Sequence, residues 1–321
     1  EIKTDGITAW GESAPGKTEG ASSANEVKDH LIRLINSDIK TLSIYEVHQR
    51  CKDLNIPPCA HAAIDIALWD LKAKKAKMSL KDLLGLPSPQ VPSSITVGIN
   101  PPEIIKERVE IILSNPQVKA LKIKLGSPKG IEYDQLIYSQ VIESAKKSNV
   151  AIRVDANGGW SLDEAQFMMK WLSQRKAEYI EQPLIEGDED KLKFLFKGRP
   201  LPIFIDESCR VAEDVANFHQ HVDGINLKLM KCGGITEAIK ILNVAKSHSL
   251  KTMIGCMSES SISISAGASI SGIIDYVDLD SHYNLDPDPS EGSKMVNGIT
   301  ITNSKYGHGA NLKKEYYDKI D

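Results

Sequence analysis

Three short apolar runs each end in an acid: Ile152–Asn157 (IRVDAN), Tyr179–Pro183 (YIEQP) and Ile203–Ser208 (IFIDES), with Asp155, Glu181 and Asp206 separated by 26 and 25 residues. That interval holds about one strand and one helix. If the runs are parallel strands, the three carboxylates stand side by side on the face where the strands terminate, which is where barrel enzymes carry their chemistry. Three converging carboxylates form an oxygen-donor site for a hard cation. Lysines bracket them: Lys122 and Lys124 in ALKIKLG come one unit earlier, and Lys228 in INLKLMKCGG one unit later. Acidic ligands flanked by amines suit a site that holds a substrate carboxylate on a divalent ion and moves protons at the adjacent carbon.

Outward from these runs the same rhythm continues. The strand runs SITVGIN, ALKIKL, AIRVD, AEYIE, PIFID, GINLK, KTMIG and DYVDLD, between Ser94 and Asp280, alternate with helical stretches. Eight such units with right-handed crossovers close into a barrel. An open doubly wound sheet would need a glycine-rich first turn, and no GxGxxG follows any strand. The Gly233-Gly234 pair is read either as a tight turn or as an anion cradle at a helix start.

Before about Val91 the pattern is a hairpin around Asp5-Gly6, a Pro/Gly/Ser-rich loop from Ser13 to Ser23, and helices. The clearest helix is AHAAIDIALWDLKAKKAKM (60–78), with Ala63, Ile66, Ala67 and Leu71 at helical spacing and a basic end that suits the helix dipole. From about Leu285 the rhythm stops, and the tail is expected to return to the first region. The expected division is a capping domain of residues 1–92 plus 286–321 and a catalytic barrel of residues 93–285. Strands pairing with the opening hairpin are expected to precede Glu1. ISISAGASISGII, from Ile262, is too short and too serine-rich to span a bilayer and reads as a buried helix.

The 321-residue chain carries 39 basic and 43 acidic residues, intermixed, for a net charge of -4, which gives no case for nucleic acid or an anionic membrane as partner. Small molecules are the expected partners, and a homo-oligomer is left open. Five cysteines without a CxxC pair argue for free thiols in a reducing cytoplasmic setting rather than disulfides or cysteine-bound zinc.

Side chains alternate across a strand, so Lys122 and Lys124, Asn226 and Lys228, and Asp278 and Asp280 each project to one face. Any one such pair alone reads as a solvated strand. At strand ends in register with three carboxylates, they read as one site, because charges pointing into a barrel need partners.

The ordered motifs KIKLG, RVDANGGW, IEQPL, IDES, NLKLMKCGG, GCMSES and DLDSH resemble the enolase superfamily, its muconate-lactonizing subgroup, and within it the dipeptide epimerases. The resemblance covers the chain from Gly6 onward. It implies an α/β fold, a modified TIM barrel (β/α)7β with an α+β capping domain built from both chain ends. It further implies one Mg2+ held by Asp155, Glu181 and Asp206, with Lys124 and Lys228 as the acid/base pair; lysine bases with Mg2+ are that superfamily's known pattern. Lys122 would give electrostatic support. Asp278 and Asp280 would hold the α-ammonium of a dipeptide whose second residue is epimerised, L-Ala-D/L-Glu being the default substrate. Asn157 would hydrogen-bond a metal ligand or a metal-bound water.

A lysine acts as a base only when neutral, and Lys122 together with the ion is expected to lower the pKa of Lys124. Asn226, Met257 and Glu259 are candidates for the pocket wall. Lys231 is read as a surface or turn residue pointing elsewhere, His219 and His221 as a solvated turn, and Trp160 as packing at the rim. A muconate-type cycloisomerase or o-succinylbenzoate synthase is the alternative enzyme, but its substrate offers no cation to the DxD pair. An inert ligand-binding or structural homologue is the alternative outside enzymes.

Overall fold

Asp5 and Gly6, both with positive φ (51° and 73°), reverse the chain between β1 (Ile2–Thr4) and β2 (Ile7–Ala9), as a two-residue hairpin requires. The computed structural model describes residues 1–303 and 305–319; residue 304 and residues 320–321, which fall in the expected second capping segment, lie outside the described residues. Helices α1 (Ala24–Ile35), α2 (Ile44–Asp53), α3 (Pro58–Lys75) and the short α4 (Leu80–Leu83) follow. The long helix runs earlier than its periodicity suggested. Pro58 starts it, where the missing N–H is no loss, and Lys72, Lys74 and Lys75 close it.

Then come β3 (Ser94–Val97), α5 (Pro102–Leu113), β4 (Ala120–Lys124), α6 (Ile131–Ala145), β5 (Ala151–Asp155), α7 (Leu162–Ser173), β6 (Ala177–Glu181) and α8 (Leu192–Phe196). The series continues through β7 (Ile203–Ile205), α9 (Ala212–Phe218), β8 (Gly224–Lys228), α10 (Leu229–Cys232), α11 (Ile235–Ser247), β9 (Lys251–Gly255), α12 (Ser261–Ile270) and β10 (Tyr276–Val277). The strands form one parallel eight-stranded sheet in sequential order. Its edges meet: Ser93 bridges Val277, and the Leu279 N–H donates to Ser93 Oγ at 2.8 Å. The result is the expected (β/α)7β barrel, nearly closed.

Inward residues stack in layers, as barrel strands in register demand. Tyr179, Phe204, Met253 and Tyr276 form an apolar floor, with Tyr179 and Phe204 ring centroids 4.8 Å apart and the Arg153 guanidinium over Tyr276. The charged residues lie one layer higher, at the strand ends. The serine-rich stretch is α12, wholly buried as expected, and Glu12 closes its start by accepting the Ser260 and Ser263 N–H groups at 2.7 and 3.0 Å.

The tail adds β11 (Ser290–Glu291), β12 (Lys294–Val296), β13 (Ile299–Ile301) and β14 (Asn311–Leu312). It touches the first region directly: the His308 N–H donates to Asp70 at 3.0 Å, and the Leu80 N–H to the Gly307 carbonyl at 2.7 Å. All five cysteines are free thiols. Among the described residues no helix is long and apolar enough to cross a membrane.

Candidate active site

Strand register builds the site. Lys124 pairs with Asp155 across β4 and β5, and Asp155 with Glu181 across β5 and β6, so their side chains emerge at one level. Asp206 follows β7 directly, and Lys228 ends β8. One carboxylate oxygen from each of Asp155, Glu181 and Asp206 lies within 4.8 Å of the others, and all three residues are fully buried. Strands β4 and β8 are four places apart in a ring of eight, which sets Lys124 and Lys228 across the barrel from each other.

The ammonium groups partition the carboxylates. Lys124 Nζ lies 2.6 Å from Asp155 Oδ2, and Lys228 Nζ 2.6 Å from Asp206 Oδ2. Lys122 Nζ reaches Glu181 Oε2 at 2.8 Å and Asp278 Oδ2 at 2.7 Å. Burial alone would raise Asp155 and Asp206, but Lys124 and Lys122 around the first, and Lys228 and Lys231 around the second, hold both below the usual carboxylate range. Glu181 goes the other way: burial and the Asp155 charge push it up to about 8. Burial opposes the charge of Lys122, yet Asp278 and Glu181 outweigh it and raise that lysine above its ordinary value. Lys122 Nζ also lies 3.4 Å from Asp155 Oδ2, so its charge is shared among three carboxylates.

The residues fit a divalent ion. Glu181 Oε2 and Asp206 Oδ2 are buried and accept no well-aligned hydrogen bond, although Lys122 and Lys228 stand within ion-pairing distance of them. Three desolvated carboxylates with oxygens aimed at one point are costly without a cation, and an all-oxygen donor set suits Mg2+.

Lys231 is not a surface residue. The chain turns from β8 straight into one turn of helix, α10, which returns Lys231 over the strand ends. It is buried, with Nζ 2.6 Å from Asp206 Oδ1, 3.1 Å from the Asn226 carbonyl, and also donating to the Asp206 carbonyl. Gln182 was also missed. Its Oε1 accepts the Asp206 N–H at 2.8 Å, and its amide donates to Ser208 at 2.9 Å, so the residue beside one acid fixes the backbone of the next. The glycine pair cradles no foreign anion, because the Asp65 carboxylate on α3 accepts the Thr236 N–H at 3.0 Å at the start of α11.

Among the other expected residues, Asn226 donates its amide to Glu181 Oε1 at 2.8 Å, and the exposed Asn157 donates its backbone N–H to Asp155 Oδ1 at 2.9 Å. Asp278 and Asp280 lie just past β10 rather than on it, and both are buried. Asp278 Oδ1 has no hydrogen-bond partner. Asp280 Oδ2 accepts the Thr96 N–H at 2.7 Å, while burial and the neighbouring Asp278 push its carboxyl up to about 6. Trp160 is a packing residue, buried and donating to Asp134 at 2.8 Å. His219 and His221 form a short 3-10 turn away from the carboxylates, where His219 stacks on His248.

Glu259 is buried, accepts the Met257 N–H at 2.6 Å, and is pushed up by burial to about 8. A carboxyl that holds its proton more tightly folded than unfolded stabilises the fold at low pH. That contribution is lost as pH rises from the ordinary value of 4.5 to about 8. Glu259→Gln is neutral at every pH and keeps the acceptor, so its melting temperature should exceed that of the unmodified protein by a margin that grows as pH rises from about 4.5 to about 8 and is constant above. Each unit of raised pKa corresponds to about 1.4 kcal/mol. Parallel melting curves across the pH range would refute the assignment.

A second buried group, His48, His61 and Asp65, joins α2, α3 and α11. His48 is hydrogen-bonded to His61 at 3.1 Å and lies 3.1 Å from Glu237, while Asp65 caps α11. These contacts satisfy the group as a structural junction. A surface cavity of about 600 Å³ beside Lys77, Lys81 and Tyr306 includes none of the site residues.

Residues 1–85 match the family described as the mandelate racemase/muconate lactonizing enzyme N-terminal domain, and residues 105–316 the enolase C-terminal domain-like family. The chain is similar to a hydrophobic dipeptide epimerase of Flavobacteria bacterium (strain MS024-2A), 56% identical over 98% of this chain and 90% of the relative. A hydrophobic dipeptide epimerase of Roseobacter litoralis is 54% identical over 97% and 90%. The crystal structure of a dipeptide epimerase from Enterococcus faecalis V583, complexed with Mg and the dipeptide L-Leu-L-Tyr, superposes with a TM-score of 0.88 at 31% identity, covering 96% of this chain and 89% of that one.

Proposed function

Because the chain belongs to the enolase superfamily, we propose that it is a Mg2+-dependent dipeptide epimerase that inverts the α-carbon of the C-terminal residue of apolar dipeptides. The observation that carries this reading is the pair of lysines facing each other across a buried carboxylate triad. Asp155, Glu181 and Asp206 hold the ion. An Mg2+ ion held there would supply positive charge against the negative charge that builds on the substrate carboxylate as the α-proton leaves. Lys124 removes the proton from one face and Lys228 supplies one from the other, so the centre inverts; the roles exchange in the reverse direction.

Lys122 balances Glu181 and Asp278, and Asn226 and the Asn157 backbone steady the ligands. Asp278 and Asp280 receive the α-ammonium; the partnerless Asp278 Oδ1 supports this, since a buried acceptor costs free energy until a donor arrives. Met257 and Glu259 line the pocket. The names of the two relatives at 56% and 54% identity favour an apolar second residue over the glutamate of the default dipeptide. Residues 93–285 are assigned to the catalytic barrel, and residues 1–92 with 286–321 to the cap. The contacts of Asp70 and Leu80 with the turn at residues 307–308 support that division.

Dipeptides incubated in D2O with Mg2+ test the function: those with Leu, Val or Tyr second should gain α-deuterium and the opposite configuration faster than those with Glu. No exchange in any dipeptide would end the reading. Asp280→Asn should cripple turnover of free dipeptides by about 3 to 5 kcal/mol, the cost of leaving a buried ammonium without its partner. N-acetylation of the substrate should do the same to the unmodified protein, and equal turnover of acetylated and free dipeptides would remove the ammonium role.

A further inference from the structure

Lys124, Asp155, Glu181 and Lys228 end β4, β5, β6 and β8, whereas β9 ends in Gly255. Register pairs Gly255 directly with Lys228 across β8 and β9, so a side chain at 255 would enter the barrel beside the Lys228 stem. The space is already taken. A Cβ at 255 would lie 2.9 Å from Asn226 Nδ2, 3.1 Å from Asn226 Oδ1 and 3.1 Å from Lys228 Cε, each closer than ordinary contact. The φ of Gly255 is outside the left-handed region, so the backbone does not demand glycine here. What demands it is the room its neighbours occupy.

The two neighbours differ in how far they can yield. The Asn226 amide can rotate slightly, because its partner Glu181 is independently held by Lys122 at 2.8 and 3.0 Å. Lys228 has one anchor, Asp206 Oδ2 at 2.6 Å, and its stem lies against the β9 end. A methyl group at 255 therefore acts mainly on where the Lys228 amine stands. We propose that Gly255 is a positioning residue, the absent side chain that seats the Lys228 amine at the substrate carbon. The inference rests on the reading of Lys228 as one of two proton-transferring lysines.

Gly255→Ala tests it. The crowded atoms are side-chain ends rather than backbone, so the variant should fold, which its melting temperature checks. Exchange of the α-proton for deuterium is followed from each epimer separately, with Lys228→Ala identifying the epimer that faces Lys228. Exchange from that epimer should fall about 100-fold, the cost of an ångström-scale misplacement, while exchange from the other stays near that of the unmodified protein. A parallel fall in both, or in neither, would overturn the proposal. If the unmodified protein exchanges no dipeptide, the epimerase reading fails on its own. A crystal structure of Gly255→Ala then decides the positioning: a Lys228 amine displaced from Asp206 supports it, and an unmoved amine overturns it.

Discussion

Asp155→Asn, Glu181→Gln and Asp206→Asn are each expected to lower turnover by orders of magnitude while the protein remains folded. Each substitution removes a full negative charge from a site of three mutually close, wholly buried carboxylates, and a small hard cation depends on that charge for its affinity. The same dependence makes chelation of divalent ions abolish activity and added Mg2+ restore it. Metal titration by calorimetry separates loss of the ion from loss of the fold, since a folded variant with intact ion binding and no activity would contradict the assignment. Full turnover in metal-free protein would sink it outright. The substitutions are not equivalent, because Asp206 also anchors Lys228 and Lys231, whereas Glu181 carries Lys122 and Asn226. Asp206→Asn should therefore lose melting temperature as well, two buried ammonium groups being left without their counter-ion.

Lys124→Ala and Lys228→Ala should each abolish epimerisation, yet in different ways. Inversion needs one amine to take a proton and the other to return one, so removing either stops the full reaction. Exchange with solvent needs only one. Each variant should thus retain α-deuterium exchange from a single epimer, and the two variants should retain opposite ones. Nuclear magnetic resonance of each pure epimer in D2O reads this directly. Loss of the same epimer in both variants would place the lysines on one face and break the mechanism. Lys231 supplies the contrast: with three acceptors already around its ammonium group, it has no donor left for substrate. Loss of epimerisation in Lys231→Ala together with normal epimerisation in Lys228→Ala would mean that the wrong lysine had been chosen.

The barrel and its triad were legible because period-2 alternation and the 26- and 25-residue spacing are local properties of the chain. They say which residues end strands and which face inward, and the positions of Lys122, Lys124, Asp155, Glu181, Asp206, Asn226 and Lys228 follow. DYVDLD was legible as the last strand, though only Tyr276–Val277 pairs with β9. Past that point Asp280 turns to the Thr96 N–H across the closing seam of the barrel, a partner 184 residues away that no local pattern contains.

Partnerships were decided in three dimensions. Lys231 read as a turn residue because its neighbours are turn-like; it is a buried cation beside the carboxylate cluster because α10 folds it over Asp206, and burying an ammonium group is tolerable only where acceptors surround it. Gly233-Gly234 read as an anion cradle or a turn, and the anion proved to be Asp65, delivered by a helix from the first region of the chain. The ion pairs of Lys122 with Asp278 and Glu181 likewise depend on side-chain distances of 2.7 and 2.8 Å. Alternation and spacing specify direction and order, which are one-dimensional quantities. Coulomb energies and steric room depend on separations of a few ångströms between residues far apart in sequence, and only the closed barrel sets those.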